Sequence, residues 1–263
     1  MKYLMYFFFG LYMISFTACS SKVEPNTTNT SKSSTLAEFD EDEFLDEFED
    51  EMAIETKSDP FSGYNRMMTS FNDGVYEYVL SPTAKGYRFI VHKEIRTSVG
   101  NFFHNILFPV RFVNNLLQGK LKNTAEETGR FLINSTVGIL GLFDPAKSYF
   151  DLEPHNEDFG QTLGFYGVGG GPHIVLPLFG PSNLRDTISM YPNALLSPIQ
   201  YHDDRSYNLV NSYTQTILLK SYERINTVSL NPDQYDKLKK DAIDLYPFLR
   251  DVYEQFREKA IKE

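Results

Sequence analysis

A mainly α fold is predicted by three features of this 263-residue sequence. From residue 59 onward, apolar side chains recur at steps of three and four, the period of a helix face. Alternating strand-like patterns are scarce. Prolines and small polar residues punctuate the periodic stretches where helices start and stop, and one long apolar stretch is broken by glycines, which predicts a hairpin or turn set into a compact multi-helix body.

The elements follow in order. Asp59-Pro60 reads as a helix start, with Asp as cap and Pro in the first turn. Phe61, Tyr64, Met68, Phe71, Val75, Tyr78 and Val79 then mark one face, and Ser81-Pro82 is expected to end that helix. A second periodic segment covers about 82–105. Pro109 opens a short helix ending near Gly119. The next spans about 121–137, with Ala125, Thr128, Phe131, Leu132 and Ser135 on one side. Ser182 is expected to cap a helix beginning near Asn183, and two longer helices are expected over about 206–227 and 232–261.

Three intervals carry no acid, Lys or Arg: Thr97–Val110, Phe131–Phe143 and Phe159–Leu184. The last holds seven glycines and three prolines in 26 residues. It is too apolar for a solvated loop and too interrupted for a regular spanning helix. Two placements satisfy such segments. They fill the core of a soluble protein, or they sit at a bilayer with aromatic side chains toward lipid and backbone groups paired within the protein.

The formal net charge of −10 is unevenly distributed. Ten carboxylates fall between Glu38 and Glu51, and residues 59–263 carry only −2. A nearly neutral body argues against gripping nucleic acid through phosphates, which needs Lys and Arg in excess on one face. The single cysteine excludes a disulfide framework, a cysteine-ligated zinc site and a redox CxxC pair.

That cysteine is Cys19. Met1-Lys2 and the apolar run Tyr3–Phe16 make a secretory signal too short to span a bilayer. Phe16-Thr17-Ala18-Cys19 resembles a bacterial lipobox, so residues 1–18 are expected to be removed and Cys19 acylated. Each buried acyl CH₂ is worth roughly 0.8 kcal/mol, so several chains together anchor permanently. Ser20 follows in place of the Asp of an inner-membrane retention signal, which points to the outer membrane. Residues 19–58 are expected to form a disordered tether, about 35 Å long on average as a flexible coil. Phe44, Phe48 and Met52 could align on an acidic amphipathic helix there. The stretch therefore reads either as a solvated spacer or as a docking peptide for a basic partner.

The body carries no recognisable catalytic pattern. Gly167–Gly171 lacks the Lys-Ser or Lys-Thr of a phosphate loop and the flanking strand and helix of a dinucleotide fingerprint. The five histidines show no paired metal spacing, and no GxSxG elbow occurs. Glu153, His155, Glu157 and Asp158 form the densest polar cluster, which reads as a surface loop or a cation site. The expectation is a non-enzyme without metal or cofactor.

The body does carry a family resemblance. Asp59-Pro60 through Tyr64-Asn65-Arg66, the run Asn114–Gly119, and Arg130–Thr136 with Gly138 and Gly141 resemble the MlaA/VacJ family, as do Asp144-Pro145-Ala146 and Glu157–Gly164. Tyr166–Gly169, Gly171-Pro172, Leu176-Pro177, Leu184-Arg185-Asp186 and Tyr246–Arg257 extend the match. The long acidic tether, the extra Gly170 and most of the C-terminal part depart from it.

The resemblance implies a ring of helices over 59–257, with 258–263 as a tail, lying on the periplasmic side of the outer membrane around an amphipathic channel. It implies phospholipid as substrate, strayed lipid passing from the outer leaflet toward a periplasmic carrier such as MlaC, and a trimeric porin such as OmpC or OmpF holding the ring. Gly167, Gly169 and Gly171 become candidates for gating the path. Asn134 and Arg185 become candidates for wetting it, with helix capping and packing as their other reading. The competing function is a structural envelope lipoprotein that scaffolds partners through its acidic tether.

Overall fold

The computed structural model describes residues 59–203 and 208–263; the signal peptide, Cys19 and the tether lie outside the described residues. The first helix, α1 (Ser62–Val75), begins after a turn at residues 60–61 and has Phe61, not Asp59, at its cap position, and it does not stop at Ser81-Pro82. It widens into a π-helical turn (Tyr76–Leu80) and continues as α2 (Ser81–Ile90). Proline lacks an N–H and its ring crowds the carbonyl one turn back. The widened turn, in which Ser81 N–H reaches Tyr76 O, accommodates it at the start of α2. The segment expected over 82–105 is broken at Val91-His92, where the backbone becomes extended before α3 (Lys93–Ile106).

Then come α4 (Phe108–Leu117), α5 (Leu121–Thr136), the short α6 (Pro145–Phe150) and α7 (Phe159–Phe165). The sequence reading missed α6 and α7. Each is announced by an aspartate cap: Asp144 accepts from Lys147 N–H and Asp158 from Gln161 N–H. The glycine-rich interval also folds into a small antiparallel hairpin, β1 (His173–Leu176) with β2 (Gly180–Asn183), in the register His173 to Asn183 through Leu176 to Gly180. Asn183, not Ser182, caps α8 (Leu184–Leu196). The C-terminal part holds α9 (Tyr213–Leu230), α10 (Gln234–Asp241) and α11 (Leu245–Lys262). The single helix expected over 232–261 is therefore two, and residues 258–262 continue α11.

Packing runs α4 on α5, α7 on α8, α9 against both α2 and α3, and α11 against α7 and the hairpin. The apolar cluster is small: Tyr76, Leu80, Ala84 and Val228, flanked by Ile225 and Tyr235. Elsewhere the interior is polar. Among the described residues 12 hydrophobic side chains are buried against 30 polar or charged ones, while Phe71, Tyr78, Phe89, Ile90, Leu132 and Leu140 are among the large apolar groups left exposed. Soluble proteins distribute these classes the other way.

Candidate functional site

The inversion begins in the helix faces. On α1 the buried positions are Asn65, Thr69 and Asn72, while Phe61, Tyr64 and Phe71 face outward. On α5 they are Thr124, Glu127, Arg130 and Asn134, with Leu132 outside. Polar side chains at helical spacing thus line the inside.

Most of them are matched to a partner. Arg111 Nε meets Glu127 Oε2 at 2.7 Å, and the other oxygen of Glu127, a fully buried residue, accepts from His155 N–H at 2.8 Å. Arg130 Nη2 meets Asp144 Oδ2 at 2.8 Å. Gln118 and Lys120 both donate to Glu157 at 2.7 Å, and Thr162 donates to Asn114 at 2.9 Å. The expected loop cluster is therefore divided: Glu157 joins this network, Asp158 caps α7, the half-buried His155 ring meets Glu126, and Glu153 pairs at the surface with Lys147. No group of three or more His, Cys, Asp or Glu side chains suited to a metal occurs among the described residues.

Two asparagines of α1, a heptad apart, hold the hairpin. Asn65 donates to His173 O at 3.0 Å and accepts from Val175 N–H at 2.8 Å; Asn72 donates to Leu176 O at 3.0 Å and accepts from Leu178 N–H at 2.6 Å. Their amides act as extra peptide groups along β1. An isolated two-stranded hairpin is marginal, so this pinning holds it in place.

The glycine turn links α7 to β1. Gly167 and Gly171 adopt left-handed φ of 84° and 69°, which favours glycine, whereas a Cβ on Gly169 would meet open space. Arg185 lies behind this turn. Its Nη1 donates to Val168 O at 3.1 Å, its backbone N–H to Gly170 O at 3.1 Å, and its Nε to Asp186 Oδ1 at 2.9 Å. Gly164 lets α7 come close enough for this, since a Cβ there would lie 2.8 Å from Arg185 Nη1.

Asp186 is shared with Arg257 and Tyr253 of α11, at 2.8 and 2.6 Å, and Arg257 also grips both oxygens of Asp158, at 2.6 and 2.9 Å. Burial alone would raise both carboxyls, but the Arg257 charge and the hydrogen bonds outweigh it and hold Asp158 and Asp186 below the usual carboxylate range. A third of the Asp158 side chain nonetheless remains accessible.

Gly167, Gly169, Gly171 and Arg185 therefore come together around one turn. Asn134 belongs to the other network, donating to Asp144 Oδ1 at 2.8 Å and accepting from Ala146 N–H at 3.0 Å. Sequence reasoning missed the roles of Asn65, Asn72 and Arg257, and read Asp158 as part of a surface loop or cation site. The helical spacing of the polar residues, read alongside that of the apolar ones, is the signal that finds the two asparagines.

Outside, residues 137–143 form an apolar knob. Val137, Ile139, Leu140 and Phe143 are exposed, and Ile139 and Leu140 take left-handed φ of 53° and 57°. Its backbone is internally satisfied: Leu140 N–H bonds Ser135 O, Gly141 N–H bonds Asn134 O and Phe143 N–H bonds Gly138 O, at 2.8–3.0 Å. A knob with apolar side chains outward and backbone bonds closed suits a hydrocarbon surround. No helix among the described residues is long and apolar enough to cross a membrane.

Comparisons with known proteins agree with this architecture. A protein of Rickettsia bellii is 34% identical over 206 residues, covering 78% of this chain and 77% of its own. The intermembrane phospholipid transport system lipoprotein MlaA of Haemophilus influenzae is 36% identical over 152 residues, 54% of this chain and 61% of that one. Its counterpart of the same name in Escherichia coli is 38% identical over 135 residues, so the match spans about half of each chain. A chain solved in work on the structural basis for maintenance of bacterial outer membrane lipid asymmetry aligns with a TM-score of 0.66 and 30% identity, over 78% of this chain and 100% of that one. The model of the MlaA lipoprotein family matches residues 57–260, and this chain belongs to that family.

Proposed function

We propose that this chain is an outer-membrane lipoprotein that passes strayed phospholipids from the outer leaflet through an amphipathic channel toward the periplasm. The observation that carries this reading is the inversion of the body, apolar outside and polar within. Flipping a phospholipid is slow because its charged head must enter hydrocarbon, and a polar path beside an apolar one removes most of that barrier. No bond is made or broken, so no catalytic constellation is called for. Gly167, Gly169 and Gly171 gate the path, Arg185 sets the turn by holding Val168 O, and Asn134 stiffens the wall behind the apolar knob. Cys19 carries the acyl anchor, which its lipobox-like setting supports. A trimeric porin seats the exposed apolar surface, and an MlaC-like carrier receives the lipid on the periplasmic face.

The test is deletion of the gene, followed by measuring the phospholipid on intact cells that added phospholipase can digest. Several-fold more digestible phospholipid is expected, restored by the full chain and equally by a chain lacking residues 38–51. An unchanged outer leaflet overturns the reading, and rescue that depends on the acidic stretch favours a scaffold.

A further inference from the structure

A second cleft lies on elements that do not carry the glycine turn. Asp73, Tyr76, Glu77, Ser81 and Lys85 of the α1–α2 rod face Tyr235, Asp236, Lys239 and Lys240 of α10 across a cleft of about 440 Å³. Four of the rod residues stand at i, i+4, i+8 and i+12. On a regular α-helix each such step drifts about 40° around the axis, so Asp73 and Lys85 would diverge by about 120°. The π-helical turn at Tyr76–Leu80 takes part of that drift back, and all four line one wall. Such insertions are frequent at functional sites.

The wall carries three acids and three lysines. Lys239 Nζ lies 2.9 Å from each oxygen of Asp73 and 3.4 Å from Glu77 Oε2, and Tyr235 also donates to Asp73 at 3.1 Å. Asp73 is thereby saturated. Lys85 and Lys240 remain on one sign, Asp236 and the loosely held Glu77 on the other, and among the described residues no ion pair joins the two sets. A simple anion entering here meets carboxylates and a simple cation meets lysines. A ligand with both charges a few atoms apart is complementary, and that is how such a wall discriminates. Tyr235, half-buried with its ring centroid 4.2 Å from that of the buried Tyr76, gives an ammonium an aromatic surface beside the acids.

We propose that this cleft binds a phosphoethanolamine group, its phosphate on Lys85 and Lys240 and its ammonium on Glu77 and Asp236. Taking that group as a phospholipid head rests on the transport reading above; the charge argument does not. The site gives the protein a headgroup preference exercised apart from the glycine turn.

The test titrates the purified full-length lipoprotein in detergent with dihexanoyl phosphatidylethanolamine, dihexanoyl phosphatidylglycerol and free phosphoethanolamine, by calorimetry. The ethanolamine lipid is expected to bind at least tenfold tighter than the glycerol lipid. The double variant Lys85→Glu, Lys240→Glu should weaken it at least tenfold with an unchanged melting temperature, since both side chains are exposed. Asp236→Asn should weaken the ethanolamine lipid and spare the glycerol one. Free phosphoethanolamine binding as tightly as the lipid shows that the head alone is read; weaker binding of the free compound shows that the acyl chains add to it. Equal affinity for the two lipids, or a double variant that binds like the parent, overturns the proposal. A parent chain that restores the outer leaflet but lacks the preference overturns the cleft alone. One that has the preference but restores nothing overturns the transport reading alone.

Discussion

The apolar knob at 137–143 and the glycine turn at 164–171 look alike in sequence, yet they are held in different ways. Both are charge-free, both contain left-handed residues, and both expose aromatic or aliphatic side chains. The knob closes its own backbone ladder onto the end of α5, with bonds to Ile133, Asn134 and Ser135 carbonyls. The turn closes locally only at its start, where Gly167 and Val168 N–H bond Gly164 O and Leu163 O; the carbonyls of Val168 and Gly170 are satisfied from Arg185, which is fixed by Asp186, which is fixed in turn by Arg257 about seventy residues away. A locally closed loop is rigid wherever the rest of the chain goes. A loop held by distant side chains is released when they move, and that is the property a gate requires.

Four changes break or sharpen this contrast, from the largest expected effect to the smallest. Arg257→Met removes the cation shared by the buried Asp186 and the partly accessible Asp158; because Asp186 keeps Arg185 and Tyr253, the loss falls at the lower end of that for a broken buried pair, about 3 kcal/mol. Hydrogen exchange should quicken at the Arg185 N–H, which bonds Gly170 O, while Leu140 and Gly141 stay protected. A loss of less than about 1 kcal/mol, or exchange spread evenly over both loops, would remove the latch from the account. Gly138→Val does the converse. Its Cβ would lie 2.5 Å from the carbonyl oxygens of Asn134 and Phe143, and overpacking of that kind costs about 1–3 kcal/mol. Here the knob should loosen and the turn should not.

The third change concerns His104, pushed down to about 4 by burial and by the Arg111 charge from an ordinary value of 6.5. It stays neutral in the fold while the unfolded chain takes up a proton first, so stability is full above about pH 6.5 and falls as pH drops toward 4. His104→Asn should flatten the melting temperature between pH 7 and 5; an equally steep parent and variant would assign the acid sensitivity elsewhere. Gly169→Leu is the mildest. It enters open space without a left-handed φ, so unfolding should shift by less than about 0.5 kcal/mol, typical of a surface change. Outer-leaflet phospholipid should nevertheless change in cells, and wild-type levels would remove Gly169 from the gate.

Much of this fold was legible. The helical class, the short helix from Pro109 to Gly119 and the glycine turn all come from local chemistry, and local chemistry is what a sequence displays. Helix breaks were harder. Val91-His92 carries no glycine or proline to announce the extended backbone there, and the π turn that lets the chain continue through Pro82 depends on packing against α9 and α10. Least legible were partners. Nothing local connects Arg257 to Asp158, 99 residues apart. Apolar periodicity on α1 and α5 located a face correctly but not which way it points, because inside and outside exchange roles when the surround is lipid. The buried stripes Asn65, Thr69, Asn72 and Thr124, Glu127, Arg130, Asn134 hold that information.

The direction those faces point is open to one direct measurement, helped by the absence of tryptophan from the sequence. With a single Phe143→Trp substitution, the lipoprotein reconstituted into vesicles of brominated phospholipid should fluoresce weakly compared with ordinary vesicles, as should Phe89→Trp, whose parent side chain is 93% exposed. A control at the buried position Tyr246→Trp should be quenched far less. Equal, weak quenching at all three positions would mean that the apolar exterior does not contact acyl chains, and would contradict the account.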